Sequence, residues 1–254
     1  MMNYKLLLET ALLAGEILLS SGAETYRVED TMNHILKTSK VEQIDALALM
    51  TGITVTLNDP EMEQPISMVR TIDSRSTNMN NIIKVNGISR SYCGGKITLE
   101  EANEQLKNVK EKLYSRMQFN IATTLVTTGF AMMFGGSLWD VLITTLMGCW
   151  LSLCITFSKI KKIDVIVQDV ISCAGIALFT MMIQAGFLPS IDIDIIIVAA
   201  LMPLVPGVAI TNAIRDTLQG DYLSGCARIL EAFLKAASVA LGVGIGMAMG
   251  GMIL

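Results

Sequence analysis

The pattern of apolar and polar positions changes character near residue 116. Before it, apolar residues recur in short amphipathic or alternating patterns; after it, five long apolar runs are separated by brief polar connectors. Residues 6–19 are apolar but carry Glu9 and Glu16 and lack a small-residue cleavage site, so they predict an amphipathic helix, not a signal peptide. That helix is expected to end at Ser20-Ser21-Gly22, with Gly22 just past its last turn. A second helix is predicted from Ala23-Glu24 to about Lys40. Residues 44–50 and 53–57 flank Thr51-Gly52 and predict a β-hairpin, with 67–72 as a third strand. Polar helices are expected from Thr77 and from Thr98, where Thr98-Leu99-Glu100-Glu101 forms a capping box.

The apolar runs cover residues 118–138, 141–158, 165–187, 195–214 and 236–254. Each is close to the roughly 17 to 25 residues that cross a bilayer core. The expected fold is therefore a small α+β cytoplasmic domain (residues 1–116) followed by an all-α membrane domain (residues 117–254) of five transmembrane helices. The connectors 135–140 and 188–194 hold Asp140, Asp192 and Asp194 and no Lys or Arg. Lys159, Lys161 and Lys162, and the 215–235 connector, hold every basic residue beyond 116. The positive-inside rule then places these basic connectors and the first domain in the cytoplasm. The C-terminus falls outside, in a multi-pass protein of the cell (inner) membrane whose surroundings are the lipid bilayer.

One run contains its own interruption. Pro203-Leu204-Val205-Pro206-Gly207 sits in the middle of the fourth. Each proline deletes a helix hydrogen bond, which is expected to free the carbonyls of Ala199 and Met202. Unsatisfied backbone in hydrocarbon is costly, so such a break persists where protein or a water-filled cavity covers it, and transporters use it to hold solutes. A helix restarting at Gly207 would offer free amides to a carboxylate, while the freed carbonyls could take an ammonium group or a cation. A proline kink that only shapes packing is the plainer alternative.

Composition narrows the classes. Hydrophobic residues make up 52% of the chain and charged residues 17%, and 13 of the 19 Lys and Arg lie in residues 1–116. The net charge of −4 and the lack of a basic, aromatic-interleaved stripe argue against nucleic acid as a partner. The five cysteines have no metal spacing and read as reduced structural thiols, and His34 is the one histidine. No metal, cofactor or catalytic residue is expected.

Other residues offer chemistry beside a structural role. Asp169, next to Gln168 one turn into the third span, is an intramembrane carboxylate, fit for a proton relay or a substrate site, or else shallow enough to reach interfacial water. Asn212, Arg215 and Asp216 close the fourth span, and Asp221, Arg228 and Glu231 precede the fifth. Arg228 with Glu231, and Glu231 with Lys235, have pairing distance along a helix and could form an inner gate or simply anchor at the interface. Hydroxyls on Thr123, Thr124, Thr127, Thr128, Thr144, Thr145, Ser152 and Thr156 could line a polar path, but are expected to bond their own helix carbonyls or to glue helices together. Gly242, Gly246 and Gly250 on the last span make a close-packing face that suggests a helix interface or a subunit interface, the latter with a homo-oligomer or a partner chain.

Two segments carry a family resemblance. Ser21-Gly22-Ala23-Glu24-Thr25-Tyr26-Arg27-Val28-Glu29 resembles the N-terminal signature of the threonine/serine exporter family. The run Pro203-Leu204-Val205-Pro206-Gly207, then Asn212, Asp216, Gly220-Asp221 and Arg228 to Glu231, is similar to its second signature. The layout of a cytoplasmic domain followed by five spans matches too. Fused members carry a second five-span half, so the chain resembles the larger subunit of the split type, which works with a smaller membrane subunit. The resemblance implies proton-driven export of threonine and serine, with C4-dicarboxylates such as succinate as the alternative substrate. The candidates for substrate binding are Pro203, Pro206, Gly207 and Asn212 of the second signature and, from its place in the third span, Asp169. Glu24, Arg27, Glu29, Asp216, Asp221, Arg228 and Glu231 would form a gate or coupling group. In the first signature, Glu24 and Arg27 could instead be a structural ion pair. A non-transporting scaffold and a membrane-embedded enzyme are the readings of other classes, and no enzyme motif supports the latter.

Overall fold

The computed structural model describes residues 3–60, 62–110 and 114–253. Its elements run α1 (Tyr4–Ser20), α2 (Thr25–Leu36), β1 (Gln43–Leu49), β2 (Gly52–Asn58), β3 (Ile66–Thr71), α3 (Met79–Cys93) and α4 (Leu99–Lys107). They continue with α5 (Arg116–Met133), α6 (Leu138–Lys161), α7 (Val165–Gly186), α8 (Ile193–Leu201), α9 (Gly207–Leu218) and α10 (Tyr222–Ile253). Contacts divide these into two compact units, Met1–Glu111 with Gly207–Leu230, and Lys112–Pro206 with Glu231–Leu254. The division expected from hydropathy alone lies at 116/117. Contacts instead group α9 and the first turns of α10 with the N-terminal residues, because polar side chains of 212–228 bond there.

In the first unit, β1, β2 and β3 form an antiparallel meander. The register runs from Gln43 opposite Asn58 to Leu49 opposite Gly52, and Gly52 also lies opposite Thr71. Alternation along β2 turns Ile53, Val55 and Leu57 inward, where they join Leu7, Leu12, Ile17, Val28 and Met32 in one core. α1 was expected to be amphipathic, yet ten of its residues are buried. A helix apolar nearly all round is the central element of its layer, not a surface one. Glu16, one of its two acidic residues, meets Arg70 of β3 at 3.0 Å.

The second unit is helical. Capping boxes start α5 at Ser115 and Gln118 and α6 at Ser137 and Asp140. Close helix approaches follow from missing side chains. A Cβ on Gly148 would lie 2.1 Å from Thr127 Oγ1, and one on Gly175 would lie 2.6 Å from the Trp150 ring. Gly242, Gly246 and Gly250 have a close neighbour within the chain. They pack on α7 of the same chain: a Cβ on Gly242 would sit 2.6 Å from the Val170 carbonyl oxygen, and one on Gly246 2.3 Å from that of Ala174. Small residues do allow the close approach, but the neighbour is internal. Gly244 has open space instead.

Large apolar side chains such as Leu125, Leu138, Leu146, Leu153, Val165 and Ile171 are exposed. Such a surface suits hydrocarbon and not water. Among the described residues, α6, α7 and α10 are long and apolar enough to cross a membrane, and the broken pair of α8 and α9 makes a fourth. α5, the first expected span, is 18 residues long and is not among them; Arg116, Gln118, Asn120 and four threonines dilute it.

The expected 215–235 connector is also helical. α9 continues to Leu218, and three residues later α10 begins. Gly220 closes α9 at φ +91°, with the Asp221 amide on the Asp216 carbonyl at 3.0 Å. Asp221 then receives the Ser224 amide at 3.1 Å.

Candidate functional site: a latch between two distant signatures

α1 ends in a left-handed glycine turn. Gly22 takes φ +84°, the Ala23 amide bonds the Leu18 carbonyl, and the Gly22 amide bonds that of Leu19. This Schellman arrangement satisfies the helix end. It also turns the carbonyls of Gly22 and Ala23, the Glu24 carboxylate and the first amide of α2 into a polar corner. Glu24 occupies the position before α2 but makes no side-chain cap bond, so the Thr25 amide needs an acceptor from elsewhere.

α9 and α10 supply that acceptor and donors to match. Asn212, Arg215 and Asp216 are spaced to share one face of α9. Asp216 Oδ1 accepts from the Thr25 amide at 3.1 Å, acting as the missing cap from 191 residues away. Asp216 Oδ2 accepts from Arg228 Nε at 2.8 Å, and a second Arg228 nitrogen donates to the Ala23 carbonyl at 2.7 Å. Asn212 Nδ2 donates to the Gly22 carbonyl at 2.9 Å. Arg215 donates to Glu24, whose other oxygen pairs with Arg27 at 3.3 Å. Asp216 is fully buried and Arg228 is 5% exposed. A buried pair of this kind persists when its remaining bonding capacity is met, and here the Thr25 amide and the Ala23 carbonyl meet it. Close packing of α9 on α10 holds the geometry, since a Cβ on Gly225 would lie 2.2 Å from Thr217 Oγ1.

Glu29 ties the same helix to the sheet by accepting the Ala48 amide at 2.9 Å. Burial raises its pKa above the ordinary carboxylate value; the Ala48 bond opposes this, and the charges of Asp221 and Asp216 add to the rise. The gate residues expected from sequence thus lie mostly in one network. Arg228 turns to Asp216 and Ala23, not along α10 to Glu231, because a buried anion competes better than an exposed one. Glu231 is exposed on α10.

The residues expected to bind substrate are dispersed. Pro203 lies in a 3-10 turn, Met202–Leu204, after which Val205 is extended and α9 starts at Gly207. The carbonyls of Ala199 and Met202 are not free. The Met202 amide bonds the first, and the Val205 amide bonds the second at 3.3 Å. Tightening the last turn replaces the bonds that the prolines delete, so these oxygens are not left unbonded as expected. Pro206 lines an open apolar groove of about 600 Å³ with Val198 and Leu201 on one side and Ala236, Ala240 and Gly244 of α10 on the other. Asp194 is its charged residue, shared with an adjoining hollow that also includes Gln184, Ser190 and Asp192. Asn212 is committed to the latch. Asp169 is buried on α7 and does not line the groove.

Threonine hydroxyls of α5 and α6 bond their own helix carbonyls, Thr123 to Phe119, Thr124 to Asn120, Thr144 to Asp140 and Thr145 to Val141, or join the two helices, Thr156 to the Asn120 side chain at 2.7 Å and Thr128 with Thr145 at 2.9 Å. One residue escaped the sequence reading. Asp140 is 3% exposed and accepts the Asp192 amide at 2.9 Å, joining the starts of α6 and α8. The Ser137-x-x-Asp140 spacing is the signal that could have found it. No group of three or more His, Cys, Asp or Glu able to hold a metal occurs among the described residues.

Comparison with known proteins gives the chain a family. The chain matches the threonine/serine exporter family, ThrE, over residues 9–250. A relative from Mycobacterium tuberculosis, described as a "probable threonine/serine exporter", is 22% identical over 255 residues. That match covers 94% of this chain and 45% of the relative, so the chain spans about half the relative's length. No solved structure matches it. A match across nearly the whole chain, including both halves of the latch, shows that this membrane protein belongs to the threonine/serine exporter family.

Proposed function

We propose that the chain is the larger subunit of a two-part secondary exporter of threonine and serine, driven by the proton gradient across the cell (inner) membrane. In this reading α5, α6, α7, the broken α8–α9 pair and α10 cross the bilayer. The first domain is cytoplasmic and the C-terminus outside, following the charge of the connectors. The observation that carries the reading is the latch. Signatures 191 residues apart in sequence interlock through Thr25, Asp216 and Arg228, in a chain whose family exports these amino acids.

The latch acts as an inner gate. It ties the α1–α2 corner to the helix that follows the proline break, so opening it would free that helix at the cytoplasmic side. The substrate passes along the Pro206 groove, whose open side a smaller membrane subunit completes. Asp194 and the adjoining polar hollow favour the ammonium end of an amino acid at the outer mouth.

The test uses the native complex, recovered through a tag on this chain and reconstituted in vesicles. Efflux of labelled threonine and serine, with succinate in parallel, is measured under an imposed pH gradient. Gradient-dependent threonine or serine flux that falls in Pro206→Ala supports the reading. Absence of flux of either amino acid from the wild type would overturn it, and succinate flux alone would reassign the substrate.

A further inference from the structure

We propose that Asp169 is the proton-carrying site of the membrane domain, a carboxyl that holds a proton on Oδ2 and releases it with Lys235 standing by. The inference rests on the transport reading for its role, but the site itself stands on local geometry. Asp169 lies one turn into α7 and is 1% exposed. Its Oδ1 accepts from Gln168 Nε2 at 3.0 Å. Its Oδ2 is buried without a hydrogen-bond partner among the described residues.

That asymmetry matters. Structural carboxylates elsewhere in this chain have both oxygens engaged: Asp216 takes a backbone amide and an arginine, and Asp140 takes two backbone amides. Asp169 has one oxygen bonded to a neutral amide and one bare. A bare, buried anionic oxygen in an apolar helix bundle is strongly disfavoured, whereas the neutral acid costs far less. The resting form is therefore the protonated acid.

The surroundings allow the other state as well. Lys235 of α10 is the cation whose charge acts on Asp169. It is half-buried and makes no ion pair within 4 Å among the described residues, so it does not lock Asp169 in the anionic form. The remaining titratable groups nearby are the thiols of Cys173 on α7 and Cys154 on α6. α8 brings only Asp194, which follows the far end of α7 in sequence. In the proposed step the O–H bond at Oδ2 breaks, the proton passes to water at the cytoplasmic end, and the carboxylate left behind faces the Lys235 ammonium. Protonation from the other side restores the O–H bond. Gly242 and Gly246 let α10 pack closely on α7 beside the site.

The experiment treats the full chain in native membrane vesicles with dicyclohexylcarbodiimide, which modifies protonated carboxyls in apolar surroundings, and maps the adduct by mass spectrometry. The expected result is an adduct on Asp169 whose yield falls at least tenfold as pH is raised, and which is absent in Asp169→Asn. No adduct on Asp169, or a yield that does not change with pH, would overturn the proposal. In the reconstituted complex, Asp169→Asn should reduce the ratio of threonine flux with and without a pH gradient to about one, and Asp169→Glu should restore it. An unchanged ratio in Asp169→Asn would overturn the coupling role. If the wild type moves no amino acid at all, the transport reading falls, while the labelling result still decides the proton site.

Discussion

Replacing Arg228 by alanine tests the latch through its energetics. The side chain is almost fully buried and makes two bonds, to Asp216 Oδ2 at 2.8 Å and to the Ala23 carbonyl at 2.7 Å. Removing it leaves a fully buried carboxylate without its cation and a carbonyl without its donor. Breaking one side of a buried ion pair costs about 3–5 kcal/mol. The Thr25 amide still neutralises part of the Asp216 charge, which puts the expected loss near the lower end, at about 3 kcal/mol. Asp216→Ala removes the cap of α2 as well and should cost as much or more. The double variant has no stranded charge, so it should lose clearly less than the sum, with a coupling of about 1–3 kcal/mol. Equilibrium unfolding in mild detergent, read on the α1–α2 region by hydrogen exchange, measures all three. Two single variants that each cost under about 0.5 kcal/mol and add without coupling would refute the reasoning.

Other expectations follow from local geometry. Gly246→Ala forces a Cβ into the Ala174 carbonyl and should destabilise the second unit by about 1–3 kcal/mol, while Gly244→Ala meets open space and should be neutral or slightly stabilising, as thermal unfolding would show. Burial raises the pKa of Glu29, so the folded state holds its proton more tightly than the unfolded state. Its contribution is then favourable at low pH and declines as pH rises from the unfolded to the folded value; Glu29→Gln, which still accepts the Ala48 amide, should gain stability above that window and flatten the slope in pH-dependent melting. Thr98→Ala removes the cap bond to the Glu101 amide and should cost about 1 kcal/mol by the same melting assay.

Much of the first unit was legible because its signals are local. Gly22 needs no partner to end a helix, Thr98 and Glu101 cap within one turn, and the alternation of Ile53, Val55 and Leu57 assigns an inward face. The break at Pro203 and Pro206 was legible as well, but its consequence was not. Proline shows which bonds are lost, not that a 3-10 turn will recover the Ala199 and Met202 carbonyls. Arg228 was read against Glu231, its neighbour along the helix, because periodicity exposes pairs within an element. Its actual partners, Asp216 and Ala23, depend on which helix ends meet, and no spacing encodes that. The glycines of α10 show the same limit. Their register announces a close neighbour, yet only the packed chain identifies it as α7.

The central claim is that the interlocked signatures gate the export of small amino acids. Its most direct test is threonine and serine efflux from vesicles holding the native complex, compared between the wild type and Arg228→Ala at equal membrane abundance. Wild-type vesicles should show gradient-dependent efflux, and Arg228→Ala should lose at least tenfold of its control by the pH gradient. Equal, gradient-dependent flux from both, or none from the wild type, would contradict it.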